Sequence, residues 1–116
     1  LLIKKIREAK KEVGMAIRPG TPWLKLFPYI GKVDMFQFLA VNPGPSGQEF
    51  NEEIFHKLGH LRHVCQRCMI EVDGGITVEN VAEVQAAGAD IVVMGNAFYN
   101  SKDYAETVKT VRERCR

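Results

Sequence analysis

The sequence lacks any long apolar run. No stretch approaches the about 18 to 20 residues that a membrane-spanning helix needs. Its first segment, LLIKKIREAK, mixes charged with apolar residues and has no signal-peptide core. We therefore expect a cytoplasmic protein that makes no contact with a membrane.

The chain also lacks an excess of either charge and is poor in cysteine. Its 16 basic and 14 acidic residues are spread along the sequence and give a net charge of +2. Without a basic patch, nucleic acid is not an expected partner. The three cysteines are an odd number with no secretory signal, a pattern that favours reduced thiols over a disulfide framework.

What the sequence does contain is one unit repeated four times: a short apolar segment, a loop rich in glycine or proline, and an amphipathic segment. The apolar segments predict strands within residues 13–17, 33–42, 68–72 and 90–94. Strands this short and this continuously apolar predict a parallel sheet that is buried on both faces, with crossover helices outside. With 116 residues, the chain fits one domain.

Apolar residues at helical spacing precede and separate these strands. A cap at Thr77 and a left-handed residue at Gly88 are expected to bound the third helix. The apolar positions expected on the buried sides of the helices are Leu2, Ile6, Ala9 and Val13; Ile54, Phe55, Leu58, Leu61 and Val64; Val78, Val81, Ala82 and Val84; and Tyr104, Ala105, Val108 and Val111.

Three glycine-bearing loops follow the predicted strands: PGPSG at 43–47, DGG at 73–75 and GNA at 95–97. In α/β folds, ligands bind at the carboxyl ends of the strands. Such loops offer backbone N–H groups without side-chain obstruction, and the last two run toward predicted helix N-termini. Any one of them could be a simple tight turn, but together they predict a phosphate site on one edge of the sheet.

Four motifs in this order and spacing resemble the ribulose-phosphate 3-epimerase family. They are IRPGTP at 17–22, VNPGPSGQEF at 41–50, IEVDGGI at 70–76 and GNAF at 95–98. The resemblance covers essentially the whole chain. It implies an α/β fold of four consecutive βα units from a (β/α)₈ TIM barrel, with residues 1–116 as a single domain equivalent to strands 5–8, the C-terminal half.

The resemblance also implies an activity: the family interconverts ribulose 5-phosphate and xylulose 5-phosphate with one divalent metal ion, of the Zn, Fe, Mn or Co type. By this resemblance Asp73 is a metal ligand and one of two carboxylates that move a proton at C3 of the sugar. A proton next to a carbonyl is weakly acidic, so its removal needs a positioned base and a cation to stabilise the enediolate. Read without the family, Asp73 is a turn or helix-capping carboxylate.

The family's phosphate-binding positions match glycines of all three loops. The resemblance therefore implies a sugar-phosphate substrate. The matching residues are Gly44, Pro45, Ser46, Gly47, Gly74, Gly75, Gly95 and Asn96.

The chain departs from the family in length and in detail. The second catalytic aspartate and the other metal ligands, two histidines among them, are expected on upstream strands that these residues do not supply. A half barrel would have two open edges and an uncovered interior face, so we expect the isolated chain to be inactive and to self-associate as a homo-oligomer. Leu39 and Ala40 replace a methionine and a hydroxyl residue, and Pro45 and Ser46 replace Phe-Gly, so the metal and phosphate contacts are expected to differ.

Other functions remain open. A half barrel could bind phosphorylated ligands without catalysis, or the barrel could be a hexulose-phosphate epimerase or a phosphate-binding lyase or synthase. His56, His60 and His63 precede a C-x-x-C pair, Cys65 and Cys68, which could bind zinc. The spacing fits no standard zinc finger, so surface histidines are the simpler interpretation.

Overall fold

A computed structural model of the chain describes residues 1–42 and 49–116. Four strands form one sheet in the order β1-β2-β3-β4, and every neighbouring pair is parallel. The strands are β1 Gly14–Ile17, β2 Met35–Leu39, β3 Ile70–Asp73 and β4 Ile91–Val93. The α-helices are α1 Leu2–Glu8, α2 Ile54–Val64, α3 Val81–Ala87, α4 Asn96–Tyr99 and α5 Tyr104–Arg114, and a 3₁₀-helix spans Trp23–Tyr29. Within the described residues, no helix is both long and apolar enough to cross a membrane.

One face of the sheet is the core. Phe38 pairs in register with Ile17 on one side and Val72 on the other, so side chains of one row point the same way. Phe36, Phe38, Ile70 and Val72 are almost completely buried, and they pack in one cluster with Leu58 and other side chains of the helices. The predicted parallel sheet and its crossover helices are confirmed.

The opposite face has no such cover. Ala16 is exposed, and Ile91 and Val93 are each 38% exposed. At its centre the amide of Gln37 donates a hydrogen bond to the carboxylate of Glu71. The prediction that the strands are buried on both faces is therefore wrong, because the described residues provide a helical layer on one side of the sheet only.

The two terminal helices bury less than their apolar spacing predicted. Neither α1 nor α5 has a buried residue, and Tyr104 is 50% exposed. Ala105 and Val108 are also exposed, whereas Val111 is half-buried against the core. An apolar stripe indicates which face of a helix prefers burial, but it does not supply a neighbour to bury that face.

The central helices follow the prediction more closely. Ile54, Leu58 and Leu61 of α2 are buried, although Val64 at its end is 44% exposed. Helix α3 ends before Gly88, whose φ of 133° is the left-handed conformation expected there.

The expectation of reduced thiols is wrong for two of the three cysteines. Cys65 and Cys68 form a disulfide, with Cα atoms 5.5 Å apart, while Cys115 is free. Helix α2 ends at Val64 and the following turn leads into β3, so the two thiols come within bonding range. Within 1–42 and 49–116, no group of three His, Cys, Asp or Glu residues could hold a metal ion, and the structure therefore gives the zinc interpretation no support.

Candidate active site

Asp73 is the last residue of β3 and lies where the carboxyl ends of the parallel strands meet, an end of the sheet that we call the edge. It pairs in register with Leu39 of β2 and Val93 of β4, and its carbonyl accepts a hydrogen bond from the Ala40 N–H at 2.8 Å. Its side chain is half-buried and makes no hydrogen bond or ion pair with any residue that the structure describes. The backbone is therefore fixed while the carboxylate remains available to a ligand.

Gly74 and Gly75 form a turn that no other residue fits well. Both have positive φ, 113° and 67°. A Cβ at position 74 would lie 2.7 Å from Cγ2 of Val41, and one at position 75 would lie 3.0 Å from Cβ of Phe50. Glycine is thus required by the backbone conformation and by close packing. Val41 and Phe50, near the two ends of the VNPGPSGQEF motif, both pack against this turn.

A hydrogen-bonded segment connects the turn to α3. The side-chain amide of Asn80 donates to the Gly75 carbonyl at 2.9 Å. Its Oδ1 accepts from the Thr77 N–H at 2.8 Å, and the Asn80 N–H donates to the Thr77 hydroxyl oxygen at 3.3 Å. The prediction that Thr77 caps this helix is wrong, because α3 begins only at Val81 and its N-cap is Asn80; Thr77 instead bonds to Asn80 in the turn before the helix. The glycine pair therefore does not lead directly into a helix N-terminus.

Gly95 and Asn96 leave the neighbouring strand at the same edge. Because Val93 pairs with Asp73, the two glycine turns follow adjacent strands at the same level of the sheet. The Gly95 carbonyl accepts from the Phe98 and Tyr99 N–H groups at 3.0 and 2.9 Å, and α4 begins at Asn96. No atom lies within 4 Å of the place where a Cβ of Gly95 would stand.

The structure thus brings Asp73, Gly74, Gly75, Gly95 and Asn96 to one edge. The other predicted phosphate-binding residues lie outside the described residues, and their role stays a prediction. These are Gly44, Pro45, Ser46 and Gly47.

A divalent metal fits these residues only in part. Asp73 offers one carboxylate, whereas catalytic metal sites take about three protein ligands. Glu71 lies on the same strand face but is engaged by Gln37, and no three-ligand group exists among residues 1–42 and 49–116. These residues therefore do not build a metal centre by themselves, and we derive no chemical step through a metal.

Sequence reasoning missed Lys57, which lies beside this edge. Its ammonium group on α2 donates to the backbone carbonyls of Pro19 and Thr21, the latter at 2.8 Å. Burial lowers the pKa of Lys57, and the Glu53 carboxylate opposes that shift. The partners are separated by 36 residues or more, so no local sequence pattern could have shown them.

Comparison with known proteins identifies a family. Residues 1–99 match the model of the Ribulose-phosphate 3 epimerase family. The chain is 36% identical over 114 residues to the chloroplastic ribulose-5-phosphate-3-epimerase of Arabidopsis thaliana, covering 95% of this chain and 41% of that protein. It is 39% identical over 112 residues to the ribulose-phosphate 3-epimerase of Synechocystis sp., covering 92% of this chain and 48% of that protein.

Solved structures agree on the fold. The crystal structure of 3-hexulose-6-phosphate synthase from Salmonella typhimurium matches with a TM-score of 0.72 at 20% identity, over 97% of this chain and 53% of that one. At this identity the likeness concerns architecture alone. The chain spans about half the length of the curated relatives it matches. Its four parallel βα units are a partial (β/α) barrel, and the chain belongs to the ribulose-phosphate 3-epimerase family.

Proposed function

We propose that these residues are the C-terminal half of an enzyme that epimerises a ketopentose phosphate at C3, interconverting ribulose 5-phosphate and xylulose 5-phosphate. The observation that carries the proposal is the Asp73 carboxylate. It stands without a protein partner among the described residues, at the edge where ligands bind to parallel α/β sheets. It does so in a chain that belongs to an epimerase family.

In this mechanism Asp73 transfers a proton at C3. Its carboxylate takes the C3 proton from one face of the sugar, the electron pair of the broken C–H bond forms the enediolate, and an acid on the opposite face returns a proton to C3. The reverse reaction exchanges these roles. A second carboxylate is required, and by the family resemblance it would come from the other half of the barrel. The other carboxylate on this strand, Glu71, lies on the same face of the sheet as Asp73 and is bonded to Gln37.

The glycine turns would hold the substrate phosphate. The two glycine turns follow the adjacent strands β3 and β4, so their backbone N–H groups can bind one anion together. The residues concerned are Gly74, Gly75, Gly95 and Asn96. By the family resemblance, Gly44, Pro45, Ser46 and Gly47 would contribute further contacts to the same phosphate. Pro45 removes one N–H donor and Ser46 adds a hydroxyl.

One divalent metal ion is part of the proposal. When bound, it would stabilise the negative charge of the enediolate. Asp73 would be one of its ligands, and the remaining ligands would come from the other half of the barrel. The cytoplasmic location and the homo-oligomer expected from the sequence also remain proposals.

The test is proton exchange at C3. Ribulose 5-phosphate labelled with deuterium at C3 is incubated with the full-length protein that carries these residues, and loss of the label to solvent is followed by NMR. We expect exchange together with formation of xylulose 5-phosphate, and neither with the isolated 116-residue chain. Turnover by a monodisperse monomer of the isolated chain, or no exchange by the full-length protein, would contradict the proposal. Hexulose phosphates offered in parallel separate the two substrate classes.

A second candidate is a half barrel that binds phosphorylated ligands without catalysis. It is favoured because, among the described residues at this site, Asp73 provides one available carboxylate where epimerisation needs two, and because the sheet face around Ile91 and Val93 is uncovered. Calorimetry of the isolated chain with ribulose 5-phosphate, with and without Mn²⁺, discriminates between the two. Binding that is independent of metal, with no C3 exchange in the full-length protein, supports the binding module.

A further inference from the structure

Lys57 is held by three backbone carbonyls of one turn. Its Nζ lies 3.4 Å from the Arg18 carbonyl and 2.8 Å from the Thr21 carbonyl, and it also donates to the Pro19 carbonyl. An ammonium group has three N–H donors, so this carbonyl cage, Arg18, Pro19 and Thr21, can use all of them. The turn is closed by the Thr21 N–H, which donates to the Arg18 carbonyl at 3.0 Å.

The caged turn stands beside the candidate site. It begins one residue after Ile17, the last residue of β1, which pairs with Phe38. Arg18 is therefore level with Leu39, and Leu39 pairs with Asp73. At about 4.8 Å per strand spacing, Arg18 and Asp73 are separated by about 10 Å across the sheet. Pro19, Leu39 and Lys57 line one shallow depression at this edge.

Among the described residues, few other hydrogen bonds fix the turn. Pro19 has no backbone N–H, and Gly20 has no atom within 4 Å of a Cβ position. Arg18 makes no side-chain hydrogen bond with the rest of the described chain. Hydrogen bonds to a charged group contribute more than neutral ones, so the Lys57 ammonium is the principal anchor of this segment.

We propose that Lys57 is a positioning residue, which holds the turn of Arg18 to Thr21 in the place that forms the β1 side of the sugar-phosphate site. It acts on the backbone of the turn and does not touch the substrate. The inference rests on the proposed function for the identity of the ligand. The three hydrogen bonds from the Lys57 ammonium to the turn, which we call the clamp, are a property of this chain and can be measured separately.

The first experiment measures the clamp. Backbone hydrogen exchange of the Thr21 N–H is compared by NMR in the full-length protein that carries these residues and in its Lys57→Met variant, which keeps most of the unbranched side chain but removes the charge and the donors. We expect exchange at least about tenfold faster in the variant, the equivalent of one charged hydrogen bond. Lys109→Met is the matched control, because Lys109 is exposed on α5 and its side chain makes no hydrogen bond or ion pair with the described residues. Unchanged exchange in Lys57→Met would overturn the inference.

The second experiment measures the consequence for the site. Calorimetric Kd for ribulose 5-phosphate should rise at least about threefold in Lys57→Met, since affinity falls with the fraction of molecules that have the turn in place. Lys57→Arg, which keeps the cation, should restore part of both the affinity and the protection of Thr21. Rescue by Lys57→Arg indicates that Lys57 positions the turn. A general loss of stability would instead appear as lower melting temperatures, which are measured for all variants.

The outcomes separate the inference from the proposed function. Faster exchange with unchanged Kd overturns the positioning role and leaves the proposed function intact. Absence of binding by both the unmodified chain and the full-length protein overturns the proposed function and this inference with it, while the exchange data still show whether the clamp exists. If Lys57→Met does not fold, Lys57→Gln, which also removes the charge, replaces it in both measurements, and protection of Thr21 equal to that of the unmodified protein would overturn the inference.

Discussion

Val41 packs directly against Gly74. A Cβ on residue 74 would lie 2.7 Å from Cγ2 of Val41 and 3.1 Å from its backbone nitrogen, and φ at Gly74 is 113°. The conformation of the turn that follows Asp73 thus depends on the absence of a single side chain.

Gly74→Ala should destabilise the protein. Positive φ and a clash with backbone atoms together should lower the free energy of unfolding by about 2 to 4 kcal/mol, measured by urea denaturation. Gly20→Ala is the matched control, because no atom lies within 4 Å of the place where a Cβ of Gly20 would stand and its φ is not positive. Its effect should stay within about 0.5 kcal/mol. Equal effects of the two substitutions would contradict this account of the turn.

Asp73→Asn should remove most of the activity of the full-length protein. The amide keeps the shape of the side chain but cannot accept the C3 proton, so kcat should fall by about 10²-fold or more. Glu71→Gln is the control, since Glu71 lies on the same strand and face but two residues from the edge. Turnover of Asp73→Asn close to that of Glu71→Gln would remove Asp73 from the mechanism.

Asp34 should contribute a pH-dependent part of the stability. The Val13 N–H, which donates to its Oδ2 at 2.6 Å, is the main cause of the lowered pKa of Asp34; partial burial opposes the shift, and Arg7 adds to it. A carboxyl whose pKa is lower in the folded state stabilises the fold above its unfolded value of 3.8, and this contribution is lost as the pH falls through the folded-state pKa.

The corresponding experiment compares urea midpoints at about pH 6 and about pH 3, either side of the ordinary carboxyl pKa. The midpoint of the unmodified chain should fall more than that of Asp34→Asn, which cannot titrate. Glu79→Gln, at an exposed position whose side chain makes no hydrogen bond or ion pair with the described residues, should follow the unmodified protein. An equal fall of the urea midpoint in Asp34→Asn and in the unmodified chain would show that Asp34 does not cause the pH dependence of stability.

Arg62 should be the strongest single polar contributor to stability near the disulfide turn. Its guanidinium donates to the Cys68 carbonyl at 2.8 Å, the Gly88 carbonyl at 2.6 Å and the Asp90 carboxylate at 2.6 Å. Arg62→Ala removes all of these hydrogen bonds, although the Ile70 N–H still donates to the Asp90 carboxylate, and it should lower the free energy of unfolding by about 2 kcal/mol or more. Arg67→Ala, in the same turn but exposed, should have almost no effect, and a similar loss in both variants would contradict this role.

The periodic apolar segments were sufficient to predict the order of elements and the parallel sheet. Each strand overlaps one of the predicted apolar segments, and Gly88 ends α3 as its position predicts. These features are local, because the apolar pattern of a segment and the conformation of a glycine depend on a few adjacent residues. The family resemblance then indicated Asp73, whose placement at the strand end is what the motif predicts.

Only the tertiary structure decided which surfaces are covered and which distant groups meet. The apolar stripes of α1 and α5 remain largely exposed, because burial requires a partner layer that a sequence pattern cannot supply. The open sheet face, by contrast, was already expected for a half barrel. The Cys65–Cys68 pair, the anchoring of Gly74 by Val41 and the carbonyl cage around Lys57 arise from chain reversals and from contacts between remote segments. The sequence by itself determined the repeating βα units and the acid at the strand end; three-dimensional packing determined how that acid is surrounded.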